Sequence, residues 1–129
     1  MSEKQMLWAG RVLSGLVILF LIMDMTMKFA LLQPVIDTSR QLGWPAEPGA
    51  IHLLAILLLV STALYAWPRT SALGAILLTG YLGGAVATHV RVGSPLFTHV
   101  MFGVYLGVLA WGGLWFRDPR VRALIPLAR

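Results

Sequence analysis

Asp24 and Lys28 stand one helical turn apart inside a long apolar run, the acid on the N-terminal side of the base. That order and spacing puts both on one helix face, where they suit an ion pair. At 1.5 Å per residue, Asp24 lies roughly 10 Å inside the outer end of its segment. A charge at that depth costs on the order of 2.5–3.5 kcal/mol on insertion scales, so it faces protein or water, not lipid. Two roles fit it. It is an acid that moves protons or binds a ligand, or it locks a bundle as a salt bridge while Lys28 reaches outward on its aliphatic stem. The first is preferred, because ionisable groups inside a membrane default to function.

His52, His89 and His99 sit just inside or at the ends of three other apolar runs, and Arg91 follows His89 by two residues. Imidazoles titrate near neutral pH, so a cluster suits proton transfer, a metal or an anionic head group. Each taken singly would serve as a polar cap at a membrane interface. Thr98 and His99 follow Pro95 near the start of a helix, whose positive end suits a carboxylate, phosphate or enolate oxygen. With Glu47, all these side chains are expected to converge on one end of a bundle. Asp24 and His89 form the expected proton-active pair. Lys28, His52, Arg91, Thr98 and His99 are the expected ligand-binding residues.

Three histidines with Asp24 or Glu47 would suit zinc or iron. No two of them show the tight spacing of a helical metal motif, so no metal site is predicted. Phosphate-cradling loops, dinucleotide fingerprints and nucleophile elbows are absent from the sequence. Gly80-Tyr-Leu-Gly83-Gly84 lies within an apolar run and is no phosphate cradle. The sequence has no cysteine, which excludes disulfides, thiolate ligands and thiol redox catalysis. Phe97, Phe102 and Tyr105 fit an apolar wall near His99, or a core or lipid contact.

The elements that must position these residues are helices. Of 129 residues, 58% are hydrophobic and 12% charged, with mean hydropathy +0.80, a membrane-like balance. A span needs roughly 20 mainly apolar residues. Four spans, at 7–32, 49–67, 71–90 and 96–116, therefore use up the chain as one all-α transmembrane domain over 1–129. Pro34 and the polar stretch 37–41 end the first span. The connection 33–48 reads as the longest loop, with Trp44 as an interfacial anchor. Tyr65 and Trp67 read as an aromatic belt. The turn 91–95 is short, so spans three and four are antiparallel neighbours. Gly80 and Gly84, and likewise Gly103 and Gly107, are expected to pack these two spans closely.

Lys4, Arg11, Arg69, Arg117, Arg120, Arg122 and Arg129 flank one side of the spans, and only Arg40 and Arg91 the other. The positive-inside rule then places both termini in the cytoplasm. The net charge of +5 has this topological origin. No basic face with interleaved aromatics exists outside the spans, so nucleic acid is not an expected partner.

Several stretches resemble the DoxX-like membrane proteins. They are Arg11-Val-Leu-Ser-Gly15 continuing to Asp24 and Lys28, Gly80-Tyr-Leu-Gly-Gly-Ala-Val-Ala-Thr-His89-Val-Arg91 with Pro95–His99, and Tyr105-Leu-Gly, Trp111-Gly-Gly-Leu-Trp115 and Arg117-Asp-Pro. The His89–Arg91 segment is the most specific part. The resemblance implies a four-helix protein of the bacterial inner membrane. The wider family includes the small subunit of an archaeal thiosulfate:quinone oxidoreductase and membrane partners in oxidative- or quinone-stress systems.

The leading expectation is an outward-facing polar pocket that binds a quinone-like or other amphipathic small molecule, as an accessory to a redox or oxidative-stress process. Quinone as cofactor rests on the resemblance, not on spacing. The first alternative is a membrane enzyme doing acid–base chemistry on a lipophilic substrate. The second is a structural subunit or anchor for a partner enzyme. The bilayer is the expected surround, with a partner protein or a second copy also compatible.

Overall fold

The computed structural model describes residues 1–128, so Arg129 of the basic tail lies outside the described residues. Ser2 starts the first helix, α1 (Glu3–Phe29), with a capping box: its hydroxyl accepts from the Gln5 amide, and the Gln5 side chain accepts from the Ser2 amide. Leu31 leaves α1 in the left-handed region at φ 52°. Pro34 then opens α2 (Gln33–Gln41), because a proline in the first turn forfeits no helical hydrogen bond. This corrects the reading of 33–48 as a loop. Val35, Ile36, Ser39 and Leu42 are half-buried at helical spacing while their neighbours are exposed. So α2 turns an apolar face inward, yet none of its residues is fully buried.

Three further spans follow: α3 (Pro48–Ala66), α4 (Ser71–Arg91) and α5 (Phe102–Arg117). A π-helical turn at Leu96–Val100 precedes α5 and completes the fourth span. The tail forms a short helix, α6 (Pro119–Leu124). Asp118 caps it by accepting from the Arg120 amide, and the same arginine's guanidinium holds the carboxyl below the usual carboxylate range. There are no strands among the described residues, and four helical segments are long and apolar enough to cross a membrane.

The spans close a ring in which α1 and α4 each pack against α3 and α5. All neighbours in that ring are antiparallel. Val17, Leu21, Leu58, Leu78, Ala110 and Leu114 fill its interior, while Leu19, Leu57, Ile76 and Val108 point outward from the four spans. An outward aliphatic surface on every span is what lipid contact requires.

Close approach is set by glycine at one end of the ring. A Cβ at Gly10 would run into Arg117 and the Gly113 carbonyl, and one at Gly113 would meet Ser14. Gly74 lies as tightly on the Tyr65 backbone, drawing α3 and α4 together. Tyr65 itself corrects the aromatic-belt expectation. It is fully buried, with its hydroxyl 2.8 Å from Ser14 Oγ and donating to the Ala110 carbonyl at 2.6 Å. Such a buried hydroxyl is retained only when it is hydrogen-bonded. Trp67, two residues on, is exposed.

Candidate functional site

The opposite end of the ring opens into a cavity of about 420 Å³. It lies where α1 and α4 end and where α3 and α5 begin. Thr38, Leu42 and Trp44, from α2 and the segment after it, line it as well. Phe20, Leu21, Leu54, Leu82, Phe102 and Leu106 supply an apolar wall, with the Phe20 and Phe102 rings 5.1 Å apart.

Gly80 and Gly84 line this cavity too, and a Cβ on either would meet nothing within 4 Å. The expectation that they pack α4 on α5 is therefore wrong. Gly103 does that work, lying against Leu82 and Val86, and Gly107 only reaches the tip of Leu82. The two α4 glycines create space instead.

Asp24, Lys28, His89 and His99 all line the cavity. Lys28 Nζ donates to Asp24 Oδ2 along α1, as the spacing predicts. The Asp24 side chain still keeps 34% of its surface open, so it is paired without being sealed. His89 and His99 meet edge to face, with centroids 5.8 Å apart. Ser94 Oγ lies 2.9 Å from His89 Nδ1, and Thr98 Oγ1 lies 2.8 Å from His99 Nδ1. A hydroxyl thus occupies Nδ1 of each ring and leaves Nε2 as the nitrogen available for a ligand or a proton. Thr98 reaches the site only through His99.

Two residues expected here have other partners. His52 Nε2 sits 3.1 Å from the Phe29 carbonyl, and its ring packs near the Phe29 ring. It serves the Phe29 carbonyl at the end of α1, a group that a helix terminus leaves without an internal partner. Arg91 donates to the Leu42 carbonyl at 2.7 Å and lies against Gly43, whose φ of 80° needs a residue without Cβ. A cation there suits the negative end of α2. Arg91 therefore ties the end of α2 to α4 and is not among the residues that line the cavity. Glu47 takes the N-cap position of α3 without a side-chain capping bond.

Tyr81 is a cavity residue that sequence reasoning missed. Its position three residues after Leu78 and four before Ala85 on the inner face of α4 was the available signal. Phe97 and Tyr105 are largely exposed, with the Tyr105 hydroxyl donating to the Phe97 carbonyl, so only Phe102 of that aromatic group joins the wall. Among the described residues no three His, Asp or Glu side chains come together as a metal-holding group.

Chemically, the cavity joins a long apolar wall to one carboxylate, one ammonium, one phenol and two imidazoles. That set can donate to an oxygen and exchange protons with it.

The family model described as DoxX-like family matches residues 12–113, most of the chain and every residue that lines the cavity. The protein belongs to the DoxX-like family. No curated protein and no solved structure matches it.

Proposed function

We propose that this DoxX-like membrane protein holds a quinone-like or other amphipathic small molecule in the cavity beneath α2, as an accessory to a redox or oxidative-stress process. One observation carries the reading: a single cavity pairs an apolar wall with Asp24, Lys28, Tyr81, His89 and His99 at one side. Its volume falls within the roughly 300–1,000 Å³ usual for small-molecule sites. The ring of such a ligand lies against the wall formed by Phe20, Phe102 and Leu106, and its carbonyl oxygens meet the donors.

Reduction of a quinone to a quinol takes up two electrons and two protons. Asp24 and His89 are the groups that exchange the protons. His89 does so through Nε2, because Ser94 occupies its other nitrogen. Lys28 and His99 donate to the oxygens, and Thr98 orients His99. Electrons come from a partner protein, since this chain carries no redox motif of its own. The excess of Lys and Arg on one side supports cytoplasmic termini and an outward-facing cavity, and the DoxX-like family supports placement in a bacterial inner membrane.

A second reading, acid–base catalysis on a lipophilic substrate, is favoured by Tyr81 beside Asp24 and His89, which together make an acid and base set.

Mass spectrometry of small molecules retained by the gently solubilised protein tests the proposal. A species with a redox-active ring is expected in the wild type and lost from a folded Asp24→Asn, His89→Ala variant. An identical extract from both proteins would remove the polar end of the cavity from the binding site. Turnover of a lipophilic substrate that disappears in Asp24→Asn would favour the second reading.

A further inference from the structure

The cavity beneath α2 is not confined to the interior of the ring. On α4, Leu78 and Leu82 are buried and face inward, and Leu82 lines the cavity. Gly80 and Gly84 stand two residues to either side of Leu82, which at 3.6 residues per turn puts each roughly 160° around the helix from it. Both glycines are exposed, on the same face as the exposed Leu73 and Leu77. Yet they line the same cavity as Leu82. A cavity that touches opposite faces of one helix passes around that helix and reaches the outer surface of the bundle.

The path lies on the α3 side of α4. Toward α5 the seam is closed: Gly103 lies against the Leu82 carbonyl and Val86, and Trp111 donates to Thr79 Oγ1 at 2.7 Å. Toward α3, Ala85, Tyr81 and Thr88 line the cavity in succession from Leu82 round to Gly84, and Leu54 contributes from α3. Gly74, which touches the Tyr65 backbone of α3, stands two turns before Tyr81 and so on the same side of α4. Gly84 and Gly80 lie roughly 10 and 16 Å along α4 from its end at Arg91. In a hydrocarbon layer about 30 Å thick, an opening at that depth meets lipid tails and not water.

We propose that the gap between α3 and α4 at Gly80 and Gly84 is a lateral portal, and that the ligand is a lipid-dissolved molecule whose long apolar tail lies in it. This rests on the reading of the cavity as a small-molecule site and narrows the ligand to the tailed class. The head reaches Asp24, Lys28, His89 and His99, while the tail runs out past the two glycines, where the missing side chains leave it room.

The portal is tested without any ligand. The chain has no cysteine, so Gly84→Cys and Ile76→Cys each carry one nitroxide label, the second on the outer face of the same helix. In phosphatidylcholine vesicles, the Gly84 label is expected to relax with oxygen as the Ile76 label does and to respond little to a water-soluble nickel chelate. A response to nickel exceeding that to oxygen would open the cavity to water, and little response to either would seal it; each overturns the portal. The tail is tested by titrating wild type and Gly80→Leu with a short-tailed and an isoprenyl-tailed benzoquinone. Gly80→Leu is expected to weaken the tailed compound about tenfold and the short one by less than about twofold, because the added side chain obstructs only the tail. Equal loss for both, or no loss for either, would overturn the tail's path. If neither compound binds the wild type, the small-molecule reading fails for quinones, and the nitroxide result still decides the portal.

Discussion

Lys28 neutralises Asp24 along a single helix, so the pair needs no other span for its charge balance, yet both residues face the cavity. Breaking such a pair is worse than never having it, because one charge remains uncompensated. Lys28→Met is therefore expected to destabilise the protein by about 2.5–3.5 kcal/mol. The Asp24→Asn, Lys28→Met double variant should recover most of that loss, as measured by unfolding in one fixed detergent. Equal stability of the single and double variants would mean that the Asp24 charge is already solvated. Asp24, Lys28, His89 and His99 were legible in the sequence because a charged or titratable group in an apolar run has few places to go. The destinations of His52 and Arg91 were not, since both end on backbone carbonyls, which no pattern of side chains reveals. Tyr65 and Tyr81 were missed or misplaced for a related reason. A tyrosine near a span end fits an interface as well as an interior, and only packing separates the two.

Glycines divide by element into those that bring helices together and those that hold space open. Gly74→Ala or Gly113→Ala drives a methyl into backbone or side chain across a helix pair, and a loss of several kcal/mol is expected. Gly80→Ala or Gly84→Ala meets open space and should leave stability unchanged. Thermal unfolding of the four variants checks this division, and a comparable loss at Gly84 would place another helix where the cavity now lies. The spans themselves were readable from length and hydropathy to within a few residues. The helix α2 was not, because its prolines, glycine and polar residues at 33–48 read as a connection. Its half-buried face appears only when Val35, Ile36, Ser39 and Leu42 are set at helical spacing. Arg91 is the main polar tie between this helix and α4. Arg91→Gln is expected to speed amide exchange across residues 33–44, with exchange in α1 unchanged. Uniform protection in both proteins would show that the apolar face alone holds α2 down.

At the scale of the whole molecule, the two ends of the bundle differ in kind. One end is close-packed around Tyr65, and the other is held open by glycine and roofed by a loosely seated amphipathic helix. Basic residues flank the packed end, which is the basis for setting it in the cytoplasm. Reporter fusions at both termini should then read as cytoplasmic, and one in the 92–95 turn as external. The opposite pattern would turn the cavity inward and change its access to partners. The central claim is that the cavity takes an amphipathic ring at its polar end. Trp44 lines it and offers an optical reporter. Titration of the solubilised protein with a short-tailed benzoquinone, followed by tryptophan fluorescence, tests that claim most directly when run beside Gly84→Leu, which puts a side chain into the cavity and leaves Asp24, Lys28, Tyr81, His89 and His99 unsubstituted. Saturable quenching in the wild type that vanishes in the folded Gly84→Leu variant is the expected result. Quenching that is equal in both proteins, or that never saturates, would contradict a binding site in this cavity.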